Sequence, residues 1–184
     1  MTAPSTLVAT ATDRRRFLAG LGVAALAPAL PSTAFAAAPK DYRLRMTNQN
    51  TGESFDEIVI EANRWVEESI DVFSRFARDW RRNEVRDINK KVILSALKIQ
   101  TILDSSTPTV LLSGYRSRAT NSSIRGAATN SLHIQGYALD ITQPGHSVSD
   151  LRRAATAMNA GGVGYYPSRN FVHIDCGARR SWTG

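Results

Sequence analysis

The chain has 184 residues, a formal net charge of +7, 21% charged and 42% hydrophobic residues, and one cysteine. That is the balance of a soluble globular protein and the length of one domain, long enough to bury a core without covalent staples. A single cysteine excludes an intramolecular disulfide, and no aromatic-basic motif of a nucleic-acid module accompanies the positive charge, so no nucleic-acid partner is expected.

Residues 1–38 read as a twin-arginine signal peptide and 39–184 as the folded domain. Asp13-Arg-Arg-Arg-Phe-Leu18 is followed by an apolar run to Leu30 and closes on Ala34-Phe-Ala36, with Ala36-Ala-Ala38 as the alternative cleavage site. The run is too short, and too rich in Ala, Gly and Pro, for a comfortable membrane span of about 20 residues, so no stable membrane anchor is expected after cleavage. The export signal predicts a periplasmic or envelope location. The remaining chain is still basic. A wall polymer bearing carboxylates suits that charge, against the plainer reading of a solvated basic surface.

The elements follow in order. Tyr42, Leu44 and Met46 alternate with Arg43, Arg45 and Thr47; Asn48–Gly52 supplies a turn, and Ile58-Val-Ile60 is the return strand of a hairpin. Residues 61–78 carry an apolar stripe through Trp65, Val66, Ile70, Phe73 and Phe76 and predict a helix with a core-facing role. The charged run Arg78-Asp-Trp-Arg-Arg82 breaks that stripe; it either lies near substrate or pairs within itself, and the structural reading is preferred. A second helix is predicted over 86–104, ended by Ser105-Ser-Thr-Pro108. Val110-Leu-Leu112 is short and apolar and suits a buried strand. Arg116 follows, in Ser113-Gly-Tyr-Arg-Ser117. A guanidinium there can grip a peptide carboxylate or stabilise an oxyanion, or else lie in a surface salt bridge. Ala119 to Asn130 is polar and small: a loop with about one helical turn, leading straight into the next motif.

That motif is Ser131-Leu-His-Ile-Gln-Gly-Tyr-Ala-Leu-Asp140. His133 and Asp140 supply two thirds of a catalytic zinc site. Tyr137, Leu139 and Ile141 alternate with Gly136, Ala138 and Asp140, so on a strand the acid shares its face with small residues. His173, in Asn170-Phe-Val-His-Ile-Asp175, is the candidate third ligand. Three ligands leave one position for water, whereas structural zinc sites are closed and rich in cysteine, and this chain has one. Asp175 lies two residues along from His173 on the same strand face. It is either the proton acceptor or an acid orienting the histidine. Cys176 points away from His173 and reads as a packed residue. His146, in a Pro-Gly turn before a helix over 150–160, reads as exposed. Ser147 or Ser149 caps that helix and Gly161-Gly162 stops it. Val163–Tyr166 and Phe171–Asp175 are predicted strands, the second of them the last; Tyr165 or Tyr166 could border the cleft, with core packing the default for both and for Trp182.

Together, Ser113-Gly-Tyr-Arg-Ser117, the Ser-x-His-x-x-Gly-x-Ala-x-Asp pattern, Gly161-Gly-Val-Gly-Tyr-Tyr-Pro167 and Phe171-Val-His-Ile-Asp-Cys-Gly177 resemble the DUF882/YcbK-like murein endopeptidases of the M15 zinc peptidase group, over about residues 42–182. The resemblance implies an α+β fold of the hedgehog/DD-peptidase type: helices on a small, mainly antiparallel sheet carrying a zinc site. It implies Zn2+ held by His133, Asp140 and His173, an active-site Arg116, and peptidoglycan as the partner of a monomeric hydrolase cutting amide bonds in cross-linked peptide stems. Several relatives place an acid three residues before the last histidine ligand. Here that position is Asn170, which leaves Asp175 as the local substitute. Two other readings follow from the same residues: a murein-binding module that keeps its zinc without turnover, and a carboxypeptidase or dipeptidase in which Arg116 grips a terminal carboxylate.

Overall fold

The computed structural model describes residues 40–158 and 161–184. The leader expected over 1–38, and the last two residues of the helix expected over 150–160, lie outside them. Among the described residues no helix is long and apolar enough to cross a membrane.

β1 (Tyr42–Asn48) and β2 (Ser54–Glu61) form the predicted hairpin, antiparallel from Tyr42↔Ile60 to Thr47↔Ser54. The alternation of Leu44 and Met46, both fully buried, sets which face meets the core. The turn is held by Asn48, whose Oδ1 accepts from Asn50 N at 2.9 Å. The helix predicted from residue 61 begins later. Ala62 and Asn63 take left-handed φ of 47° and 64° and close a tight turn, and β3 (Arg64–Trp65) pairs back on β2. α1 therefore spans Glu67–Phe76. Trp65 and Val66 matched its apolar stripe, but two left-handed residues just before them cannot continue a right-handed helix. α1 lays Phe73 and Phe76 on Phe55 of β2, with Phe55 and Phe73 edge to face at 5.1 Å. Such a pair is worth about 0.5–1.5 kcal/mol beyond its buried area.

α2 (Lys90–Ile102) also starts inside its predicted bounds, because the Asn89 side chain caps it by accepting from Lys91 N at 2.9 Å. β4 (Thr109–Ser113), α3 (Arg118–Ser123) and β5 (Ala138–Thr142) follow. α4 (Val148–Ala157) opens with a reciprocal capping box between Ser147 and Asp150, which settles which serine caps it. β6 (Gly162–Tyr166) and β7 (Phe171–Asp175) are as expected, but β7 is not the last strand. β8 (Arg180–Thr183) runs parallel to β6 and pairs Gly164 with Trp182.

All eight strands form one sheet, in the order β3-β2-β1-β4-β5-β7-β6-β8. Five of the seven pairings are antiparallel; β1–β4 and β6–β8 are parallel. The fold is thus α+β and mainly antiparallel as expected, though the sheet is larger than the small one foreseen. Leu44, Met46, Leu111, Leu139, Ile141, Val172 and Ile174 meet the helices in one core. The pleat sends the alternate residues Asp140, His173 and Asp175 to the opposite side.

Candidate metal centre and cleft

Asp140 and His173 are direct cross-strand partners in the antiparallel pair β5–β7. The sheet itself sets their separation: His173 Nδ1 lies 2.9 Å from Asp140 Oδ1. His133 is not on the strand. It sits in a 3-10 turn, Leu132–Gln135, capped by Ser131 and closed by Gly136 in the left-handed region at φ 74°. That turn swings the imidazole back over β5, with Nε2 3.2 Å from Asp140 Oδ1 and 3.1 Å from His173 Nδ1. A Cβ at Gly136 would collide with the Asp87 carbonyl as well as demand a left-handed alanine.

The remaining ring nitrogens are anchored. His133 Nδ1 is 2.7 Å from the Gly114 carbonyl, which can only accept, so it carries the proton. His173 Nε2 is 3.0 Å from Asp175 Oδ2 and donates to that carboxylate. Each neutral ring then turns a bare lone pair, His133 Nε2 and His173 Nδ1, toward the same Asp140 oxygen. Three acceptors converging with no donor among them call for a positive charge. A proton on His173 is the other way to supply that charge. Burial lowers the pKa of His173, but hydrogen bonds to Asp140 and Asp175 more than offset it and raise it above the ordinary value. Burial pushes Asp140 up, yet His133, His173 and Arg116 hold it well below the usual carboxylate range. Burial keeps His133 low, against the pull of Asp140. His133, Asp140 and His173 are accordingly a group able to hold a metal ion. Both histidines have the outer partner, a carbonyl or a carboxylate, that fixes a ligating tautomer.

Arg116 is brought to the site as well, as a largely buried side chain. Nη2 pairs with Asp140 Oδ2, Nε donates to Ser113 Oγ at 2.7 Å, and the Arg116 backbone N–H bonds the His133 carbonyl at 3.2 Å. Its Nη1 has no protein partner among the described residues. The run around Asp79, which read as structural, supports this arm from behind: buried Asp79 Oδ2 accepts from Ser117 N at 2.9 Å and Ser117 Oγ at 2.7 Å.

Asp175 lies behind His173. Its Oδ1 accepts from Gly162 N and Gly177 N, both at 2.9 Å, and Arg180 Nη2 donates to Oδ2 at 2.6 Å. Burial raises its pKa, but these donors and His173 hold it well below the usual carboxylate range. Asn170 follows the 3-10 turn Pro167–Arg169 at a left-handed φ of 52°, a conformation that asparagine adopts more readily than most residues. His146 sits half-buried in the turn before α4, away from this group. Cys176 is half-buried and its thiol is pushed up by burial, the reverse of an activated nucleophile.

The group forms the floor of a cleft of about 400 Å³. One wall is the segment after α3, residues 124–132. The other is built from Tyr166, which the sequence allowed at the cleft border, and from Phe171 and Trp182, which it did not mark as site residues. Trp182 tilts against His173 at 5.2 Å between ring centroids and donates from Nε1 to the Tyr166 hydroxyl at 2.9 Å. In register, Gly164 lies between His173 on β7 and Trp182 on β8. Its missing side chain is what lets the indole reach across β6. Four arginines line the cleft, at 116, 125, 169 and 180, and Asp140 is its one carboxylate among the described residues.

An α+β fold with two imidazoles and a carboxylate on the floor of a basic cleft defines the class, and the chain belongs to the M15 peptidases, a hydrolase group. Within that group the matching family is the one described as peptidoglycan L,D-endopeptidase MepK, over residues 36–182. The chain is 39% identical over 176 residues to the peptidoglycan L,D-endopeptidase MepK of Escherichia coli K12, covering 92% of this chain and 97% of that protein. It is 32% identical over 179 residues to the probable peptidoglycan L,D-endopeptidase MepK of Haemophilus influenzae, covering 94% and 96%.

Proposed function

We propose that this protein is a zinc-dependent peptidoglycan endopeptidase of the cell envelope, exported by its twin-arginine leader. It hydrolyses an amide bond in cross-linked murein peptides, the L,D bond carried in the names of its relatives. The observation that carries the reading is the convergence of His133 Nε2, Asp140 Oδ1 and His173 Nδ1, each with its outer side already anchored.

Two imidazoles and one carboxylate suit zinc with a position left open. When bound, zinc supplies Lewis-acid polarisation of the scissile carbonyl and an acidified water. The rest falls to the chain. The Gly114 carbonyl and Asp175 hold the two histidines in the ligating tautomers, so Asp175 takes the orienting role of the two that the sequence allowed. Arg116 fixes Asp140 through Nη2 and offers Nη1 to the oxyanion that develops as the amide is attacked. Trp182 and the 124–132 wall flank the metal group and bound the position that a substrate peptide takes.

The test is metal analysis joined to digestion. Full-length protein should carry about one zinc per chain and convert cross-linked muropeptides into fragments whose masses identify the bond. His133→Ala should do neither. Zinc-loaded protein that leaves muropeptides intact, while a control peptidase cuts them, would refute the reading and favour a binding module.

A further inference from the structure

The four cleft arginines are not equivalent. Arg116 is committed to Asp140 and Arg180 to Asp175. Arg125 and Arg169 have no carboxylate partner among the described residues. Of these two, Arg169 is held in place. Its guanidinium lies over Tyr166 at 4.5 Å and over Phe171 at 5.1 Å, and those two rings are stacked on each other at 4.4 Å with an interplanar angle of 14°. The shelf beneath it is itself fixed, because the Tyr166 hydroxyl accepts from Trp182, which leans on His173. A chain of ring contacts joined by one hydrogen bond thus runs from the candidate metal ligand to Arg169. A guanidinium resting on a ring face keeps its in-plane N–H groups free, and that fork matches a carboxylate bidentately. Stacking also removes in advance much of the rotamer freedom that an arginine would otherwise lose on binding.

We infer that Arg169 is a specificity-determining residue, which binds a free carboxylate of the substrate peptide beside the bond that is cut. The inference rests on the peptidase reading above and names what that site selects: a peptide bearing an uncapped carboxylate in preference to its amide.

Two cross-linked muropeptides, identical except that their side-chain carboxyls are free in one and amidated in the other, test it on the full-length protein. Wild type is expected to favour the free acid by about tenfold or more in kcat/KM, chiefly through KM. Arg169→Gln should lose most of that preference by weakening on the free acid alone, with the amidated peptide unchanged. Arg169→Lys, a charge without the fork, should fall between. Loss on both peptides alike in Arg169→Gln overturns the inference, since it would mark a structural role. Equal cleavage of both peptides by wild type also overturns it and leaves the peptidase reading standing. If wild type cuts neither peptide, the peptidase reading fails and this inference with it.

Discussion

Gly164 offers the sharpest test of how the cleft wall is built. Its φ is ordinary, so alanine there would carry no backbone strain and would be resisted only by lack of space. A Cβ built on it would stand 2.6 Å from Trp182 Cε2 and Cζ2 and 2.9 Å from Nε1. Carbon atoms rest at about 3.5–4.0 Å, so the indole must retreat by about 1 Å. That movement weakens the 2.9 Å bond from Nε1 to the Tyr166 hydroxyl and opens the contact with His173. Overpacking of this kind costs about 1–3 kcal/mol, and for a domain of this size that lowers Tm by roughly 3–10 °C. Thermal unfolding of Gly164→Ala, Trp182→Ala and the double variant measures the coupling. Gly164→Ala should cost its full amount with Trp182 present and under about 0.5 kcal/mol without it, an interaction seen only between touching groups. Equal cost in both backgrounds would show that the indole does not depend on the space over Gly164.

Three further outcomes are expected. Asp175→Asn should weaken zinc binding about 10- to 100-fold in competition with a chelator, while adding back excess zinc restores part of the cleavage; unchanged affinity would remove Asp175 from its orienting role. Stripping the protein with a chelator should abolish cleavage and lower Tm, and one equivalent of zinc should restore both, because an ion bound only by the folded chain stabilises it by mass action. Asp79 should contribute to acid stability. Burial raises its pKa, but hydrogen bonds from Thr120 and Ser117 more than offset this and hold it below the ordinary value. Its contribution is therefore complete above the unfolded carboxylate value of about 3.9 and is lost as pH falls through the lower folded value. Asp79→Asn should cost about 1–3 kcal/mol at neutral pH, and its unfolding free energy should fall less steeply than wild type below about pH 4; parallel curves would show that Asp79 is no linked group.

What the sequence made legible was local. The alternation in Tyr42–Met46, around Asp140 and around His173 has the period of a strand, so the faces of β1, β5 and β7 could be read before the fold was known. Asp140 and His173 could be placed on strands, but not opposite one another, because cross-strand register is a non-local property. His133 was found by its type and spacing, while the turn that carries it has no periodicity and is betrayed only by Gly136. β8 was missed for the same reason. Four mostly exposed residues give no pattern, and their worth lies in a parallel pairing with β6 that buries nothing predictable. Trp182 therefore looked like packing, Tyr166 had packing as its default, and nothing in the pattern singled out Arg169. The one signal that could have marked Trp182 was Gly164, a strand glycine with no turn to make. Arg116 was singled out from its motif, but its pairing with Asp140, 24 residues on, was not foreseen.

The direct pairing of Asp140 with His173 also bears on how the chain finds its native sheet. A β-strand displaced by one residue against its neighbour turns every side chain to the other face. Were β7 to slip so against β5, His173 and Asp175 would enter the apolar layer now filled by Val172 and Ile174, against Leu139 and Ile141, while those aliphatic residues would face the cleft. Two such polar groups driven into hydrocarbon without partners cost several kcal/mol. The residues read here as chemistry thus also veto misalignment: a molecule folded out of register is disfavoured by the same side chains whose placement it would spoil.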